Sequence, residues 1–170
     1  MGLIKSCRGF HPELGKDCYV AENATLVGDV IAGDECSFWF NSVVRGDVNS
    51  IRLGNRVNIQ DGAVLHCTYE KTKCILGDYV SVGHNAIVHG CEIQDNVVVG
   101  MGAIVMDRAV VQSNVFIAAG AVVLEGAVLE SGYLYAGIPA KKIKPLDERH
   151  IKGEIERIGK NYVKYSSWFK

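Results

Sequence analysis

An apolar residue returns at every sixth position along most of this chain. The series runs Val20, Leu26, Ala32, Phe38 and Val44, admits three extra residues, and resumes at Leu53, Ile59 and Leu65. Five extra residues precede Leu76, Val82 and Val88. After one dropped position the last run is Ile93, Val99, Val105, Val111, Ile117, Val123, Leu129 and Tyr135. Four places after a repeat start, a small or β-branched residue is common, as at Ala24, Val30, Cys36, Ala63, Ala86, Ala103 and Ala121. Glycine often takes the second place, as at Gly33, Gly54, Gly77, Gly83 and Gly100.

A fixed period of this kind predicts a solenoid. Each hexapeptide supplies one short flat face, three faces close a triangular coil, and coils stack at the ~4.8 Å spacing of paired strands. The aliphatic residue points into the prism and the small one fits where the chain bends. Glycine is expected where the backbone turns sharply or needs positive φ. The nineteen repeat starts from Val20 to Tyr135 give about six coils. A sandwich would alternate every two residues, and a helical solenoid would show a 3.6-residue period. The fold class is therefore all-β, a parallel β-helix. The 19 glycines against 3 prolines fit many short strands joined by tight turns.

The period stops near Pro145, which divides the chain into a β-helix with a short lead-in (1–145) and a tail (146–170). In the tail Leu146, Ile151, Ile155, Ile158, Tyr162 and Tyr165 recur at helical intervals, so an amphipathic helix is expected to fold back along the prism. The net charge of −1, with 18 basic and 19 acidic residues and no basic cluster, gives no sign of a nucleic-acid or membrane surface. The N-terminal stretch lacks the apolar core of a signal peptide, so a cytoplasmic location is expected. None of the six cysteines is spaced CxxC, and reduced thiols are expected, with Cys67 of interest because it follows a candidate ligand.

Coil arithmetic places the histidines. His66 and His89 hold the same offset three hexapeptides apart, so they stack on one wall about 5 Å apart, in a column that runs Arg45, His66, His89, Met106. Two imidazoles so placed can share a metal. His84 falls on the preceding wall, above Asp61 and beside Gln60. Three prisms around a threefold axis would let His84 of one chain face His66 and His89 of the next, making a homotrimer with the site at its interfaces. His11 and His150 are expected to be surface decoration.

The segments RGD (Arg45–Asp47), NIQDG (Asn58–Gly62), LH (Leu65, His66), VGHNAIVHGC (Val82–Cys91), VGMGA (Val99–Ala103) and AGIPAK (Ala136–Lys141) occur in this order. Together they resemble the γ-class carbonic anhydrase family, over nearly the whole chain. The resemblance implies a left-handed coil, an exception to the usual right-handed parallel crossover. It implies a homotrimer in which His66 and His89 of one chain and His84 of its neighbour bind Zn2+, or alternatively Fe2+ or Co2+. Arg45 and Asp47 would form an interface ion pair. Asn58, Gln60 and Asp61 would be the active-site polar cluster, Gln60 hydrogen-bonding the reacting hydroxide and Asp61 orienting it or moving protons. Tyr162 would line the pocket. The implied reaction is hydration of carbon dioxide to bicarbonate, using water whose pKa the metal lowers to about 7.

This chain departs from the family pattern at two places. Val48 stands where an acidic residue would follow Asp47, and the loop after the first histidine is the short CTYEKTK (Cys67–Lys73), with Glu70 its one carboxylate. These departures keep other readings open: a coenzyme A-dependent acyl- or acetyltransferase on the same fold, a metal-dependent thioesterase, or a non-catalytic trimeric scaffold.

Overall fold

A computed structural model of the chain describes residues 2–169. It is a left-handed parallel β-helix followed by a helical tail. The hexapeptides form three walls. The wall that carries the stacked histidines contains Leu3–Lys5, Thr25–Ala32, Val43–Leu53, Val64–His66, Ile87–His89, Ile104–Val105 and Val122–Val123, all paired in parallel. A second wall stacks Tyr19–Val20, Ser37–Phe38, Asn58–Ile59, Ser81–Val82, Val98–Val99, Phe116–Ile117 and Tyr133–Ala136. The long strands Thr25–Ala32 and Val43–Leu53 run on into a third wall, joining it to the histidine wall in one twelve-stranded sheet.

The repeat starts fill the prism. Leu26, Phe38, Val44, Ile59, Leu65, Val82, Val88, Val99 and Ile117 are all fully buried, and so are Ala24, Ala63, Ala86, Ala103 and Ala121 at the bends. Each coil buries its apolar residues against the coils above and below, so stability is shared along the stack. Each wall has seven rungs, because Ile4 pairs with Leu26 and Leu14 with Ala32 and these two supply the faces that complete a further coil. The lead-in thus extends the six coils counted from the hexapeptides.

The glycines at the second place differ from expectation. Gly54 and Gly100 are not in the positive-φ region. They are small because stacked coils approach there: a Cβ on Gly54 would lie 2.7 Å from the carbonyl carbon of Gly77, and one on Gly100 would lie 2.5 Å from the Ala119 nitrogen. Positive φ falls instead at the corners, where Asn41, Asn85, Asn96 and Asn114 adopt it at 55–60°. Asparagine tolerates that region better than most side chains.

The stack closes with Lys141–Pro145, which pairs antiparallel with Tyr133–Ala136. The sequence did not announce this strand, since its apolar period has ended. The tail is helical from Glu148 to Phe169, capped by Asp147, which accepts from the His150 amide at 2.9 Å. It widens to a π-type turn over Ile151–Glu156 before the α-helix Arg157–Ser166. Ile155 is fully buried, and a Cβ on Gly159 would sit 3.3 Å from the Tyr79 ring, so the helix packs close against the second wall. Among the described residues no helix is long and apolar enough to cross a membrane.

Candidate metal centre

His66 and His89 end neighbouring strands of the histidine wall and face each other in register. Their rings lie 5.2 Å apart between centroids, with His66 Nδ1 3.2 Å from His89 Nε2. The outer nitrogen of each ring meets a carboxylate: His66 Nε2 lies 3.0 Å from Asp47 Oδ1, and His89 Nδ1 lies 3.0 Å from Asp107 Oδ1. A neutral imidazole has one N–H, and a carboxylate can only accept. Both N–H groups are therefore given to the carboxylates, and two lone pairs are left facing one another across 3.2 Å.

Those lone pairs fit a cation. Zinc–nitrogen bonds of 2.0–2.1 Å in a tetrahedral site place two ligand nitrogens about 3.3–3.4 Å apart. Burial, resisted by the bond to Asp47 but helped by the charge of Arg45, holds His66 below the ordinary imidazole value and so favours the neutral form. Neutral imidazoles held by carboxylates are the usual donor set of such centres.

The carboxylates are themselves fixed. Burial would raise Asp47, but Arg45 at 2.5 Å and His66 override it and hold the carboxyl below its usual range. The Arg45–Asp47 ion pair thus forms within a single chain, and its geometric effect is to aim Asp47 at His66. Asp107 likewise stays low because Thr72, Thr68 and His89 outweigh its burial. Thr72 donates to its Oδ1 at 2.8 Å and Thr68 to its Oδ2 at 3.0 Å, so the short loop after His66 serves to orient Asp107.

Asp107, Thr68 and Thr72 were missed in the sequence. The column through His66 and His89 continues to Met106, and Asp107 lies one residue beyond it, at a corner; that adjacency was the available signal.

His84 sits at the corner that ends the second wall, its Nδ1 2.9 Å from Asp61 Oδ2. It makes no contact with His66 or His89, and among the described residues no group of three or more His, Cys, Asp or Glu in one chain could hold a metal. The same device recurs here, an aspartate taking one nitrogen and leaving the other. Beside it, Gln60 donates to Asn58 Oδ1 at 3.0 Å, and Asn58 donates to Ser81 Oγ at 2.7 Å, all three residues being buried. Gln60, His84 and Tyr162 line one cavity of about 250 Å3, otherwise walled by apolar side chains such as Val98, Met101 and Phe116. Tyr162 is half-buried; burial first and then the charge of Asp61 push its hydroxyl up to about 12.

Val48 and Glu70 border a second cavity of about 400 Å3 together with Asp47, Arg8 and Lys73. The short loop therefore does bring a carboxylate to the side of the histidine wall where Asp47 stands. Cys67 is buried, its thiol directed at the Ser50 carbonyl 3.6 Å away and pushed up to about 12 by burial, so it is an inert packing group. His11 bonds Ser6 and His150 bonds Asp147, both away from the site.

Comparison with known proteins bears on the family and the fold. A family profile described as bacterial transferase hexapeptide (six repeats) matches residues 90–125. The chain is 45% identical over 168 residues to a carbonic anhydrase of Geobacillus kaustophilus, covering 99% of this chain and 91% of that one. It is 38% identical to the mitochondrial gamma carbonic anhydrase 2 of Arabidopsis thaliana, covering 89% of this chain and 56% of that one. Among solved structures, a hexapeptide transferase family protein from Anaplasma phagocytophilum superposes with a TM-score of 0.91 at 36% identity, over 99% of this chain and 98% of that one.

Proposed function

The chain belongs to the γ-class carbonic anhydrase family of hexapeptide-repeat proteins, and from that premise we propose that it is a homotrimeric metalloenzyme that hydrates carbon dioxide to bicarbonate at a site shared between neighbouring subunits. The observation that carries this reading is the pair of imidazole nitrogens 3.2 Å apart, the other nitrogen of each ring meeting its own aspartate. His66 and His89 of one subunit and His84 of the next would hold Zn2+, with Fe2+ or Co2+ as alternatives. Such a cation, when bound, lowers the pKa of water to about 7 and supplies the nucleophile at neutral pH.

The trimer has physical support in the outer face of the histidine wall. Its outward columns are largely apolar, with Val43, Val64, Ile87, Ile104 and Val122 in one and Met106 and Leu124 beside the histidines in the other. Ile87, Met106 and Leu124 are 38–49% exposed in the single chain. Burying such a stripe against a symmetry mate is favourable.

The chain's own residues then divide the work. Ser81 and Asn58 fix the Gln60 amide, so Gln60 can accept a hydrogen bond from the reacting water at the cavity wall. Asp61 holds His84 with one oxygen and keeps the other for the proton of that water. Tyr162 and the apolar wall shape a pocket suited to an uncharged substrate. Glu70, exposed at the cavity it shares with Asp47, takes the place of the missing acidic residue at Val48 and passes protons to solvent.

The test joins elemental analysis to a carbon dioxide hydration assay on the same trimer preparation. About one metal per chain with chelator-sensitive hydration is expected. A trimer without metal after anaerobic purification and metal supplementation sinks the reading. Acetyl-CoA turnover that survives chelation would point to an acyltransferase, and intact metal without hydration at any pH to a scaffold.

A further inference from the structure

The end of the helical tail builds an aromatic site around Asp61 that shares this carboxylate with the hydration chemistry and Tyr162 with its pocket but adds rings the hydration chemistry does not use. Trp39 from the second wall meets Tyr162 at 80° and 5.3 Å between ring centroids, and Phe169 at 86° and 5.7 Å. Phe40 meets Phe169 at 68° and 5.9 Å, and Tyr165 meets Tyr162 at 67° and 5.6 Å. Trp168 follows, 4.9 Å from Tyr165. Neighbouring rings thus stand mostly steep to one another, as the walls of a box do, and border an open cavity of about 290 Å3.

One charged residue lines that cavity, and it is Asp61. Among the described residues, the lysines and arginines that lie over aromatic rings do so elsewhere, at Tyr69, Tyr79 and Tyr133. The mouth is open, since Trp168 and Phe169 are 65% and 53% exposed while Trp39 at the floor is 6% exposed.

A packing cluster that only anchored the helix would hide its large rings from water and would have no reason to include a carboxylate. Negative ring faces around a single anionic side chain attract a bulky, weakly hydrated cation. A metal ion or a primary ammonium would keep its water instead. We propose that this box binds an organic cation with a methylated ammonium head, a quaternary ammonium compound or a methylated amine. The site lies within one chain and shares Asp61 with the proposed hydration chemistry and Tyr162 with its pocket, while its other rings stand outside that pocket.

The test is a tryptophan fluorescence titration of the intact protein at constant ionic strength with choline and with tetramethylammonium. The neutral isostere of choline, 3,3-dimethylbutan-1-ol, serves as the control. Saturable quenching by both cations is expected, with the neutral alcohol bound roughly tenfold more weakly or worse. Trp168→Leu and Asp61→Asn should each weaken choline binding by roughly tenfold. Tyr165→Leu offers the same readout if the aspartate variant fails to fold. Equal binding of cation and neutral isostere, or no saturable change with either cation, overturns the proposal and leaves the rings as a helix anchor. Binding that persists in a metal-free, hydration-inactive preparation would separate this site from the catalytic reading.

Discussion

Asp107 stands one residue beyond the column of stacked histidines and accepts a hydrogen bond from His89 Nδ1 at 3.0 Å. Thr72 and Thr68 hold the carboxylate from below, at 2.8 and 3.0 Å. The loop that looks shortened in the sequence is therefore part of the support for His89. The aspartate leaves the Nε2 of that ring facing His66.

Replacing Asp107 with Asn keeps the size but loses the charge that stabilises the required tautomer. Loss of such a partner typically weakens metal binding by about 10–100-fold. Competition against a chromophoric chelator should show this loss in Asp107→Asn and a smaller one in Thr72→Val, with the trimer intact. Unchanged affinity in both would make Asp107 a mere surface anchor.

Glu70 shares a cavity with Asp47 and Val48. Proton transfer by a positioned side chain is typically worth about 10²–10⁴-fold. Glu70→Gln should lower kcat in dilute buffer by at least roughly tenfold, with kcat/KM nearly unchanged, and added imidazole should restore it. Stopped-flow hydration across buffer concentrations checks the split. A parallel fall in kcat/KM would mean that Glu70 shapes the site rather than relaying protons.

Four thiols, Cys36, Cys67, Cys74 and Cys91, are buried, while Cys7 and Cys18 are partly exposed. Burial is the main cause that pushes the Cys67 thiol from 9.0 up to about 12. The native fold thus favours its protonated form. The stability this contributes is complete below pH 9.0 and is lost as the pH climbs toward about 12. Titration with a disulfide reagent near neutral pH should modify at most the two partly exposed thiols, and all six only in denaturant.

Gly54 lies against the backbone of Gly77 in the coil above. Gly54→Ala must push the two coils apart, and such overpacking costs about 1–3 kcal/mol. Equilibrium denaturation in urea measures it. A neutral effect would show that the coils can slide to admit a methyl group.

Much of the fold is legible in the sequence because a solenoid repeats one local rule. Leu26, Phe38, Leu65 and Val88 point inward for the same reason, so their period alone places them. The same register places His66 over Arg45 and His84 over Asp61, as found. What escapes the register is whatever leaves the repeat. Lys141–Pro145 pairs antiparallel after the period has ended, and the π-type turn at Ile151–Glu156 has no apolar signature. Ile4 and Leu14 add faces to the stack from a lead-in too irregular to reveal them. Asp107, Thr68 and Thr72 meet only through the third dimension, across a loop and a coil.

The division of the three histidines between two walls bears most directly on a shared site. Subunit mixing tests it. His66→Ala and His84→Ala chains, each inactive alone, are co-refolded in equal amounts. If each site takes His66 and His89 from one subunit and His84 from the next, every mixed trimer regains one intact site of its three. Random mixing then restores about a quarter of the wild-type hydration rate. A mixture as inactive as its parents, with mixed trimers shown to have formed, would contradict a site built between subunits.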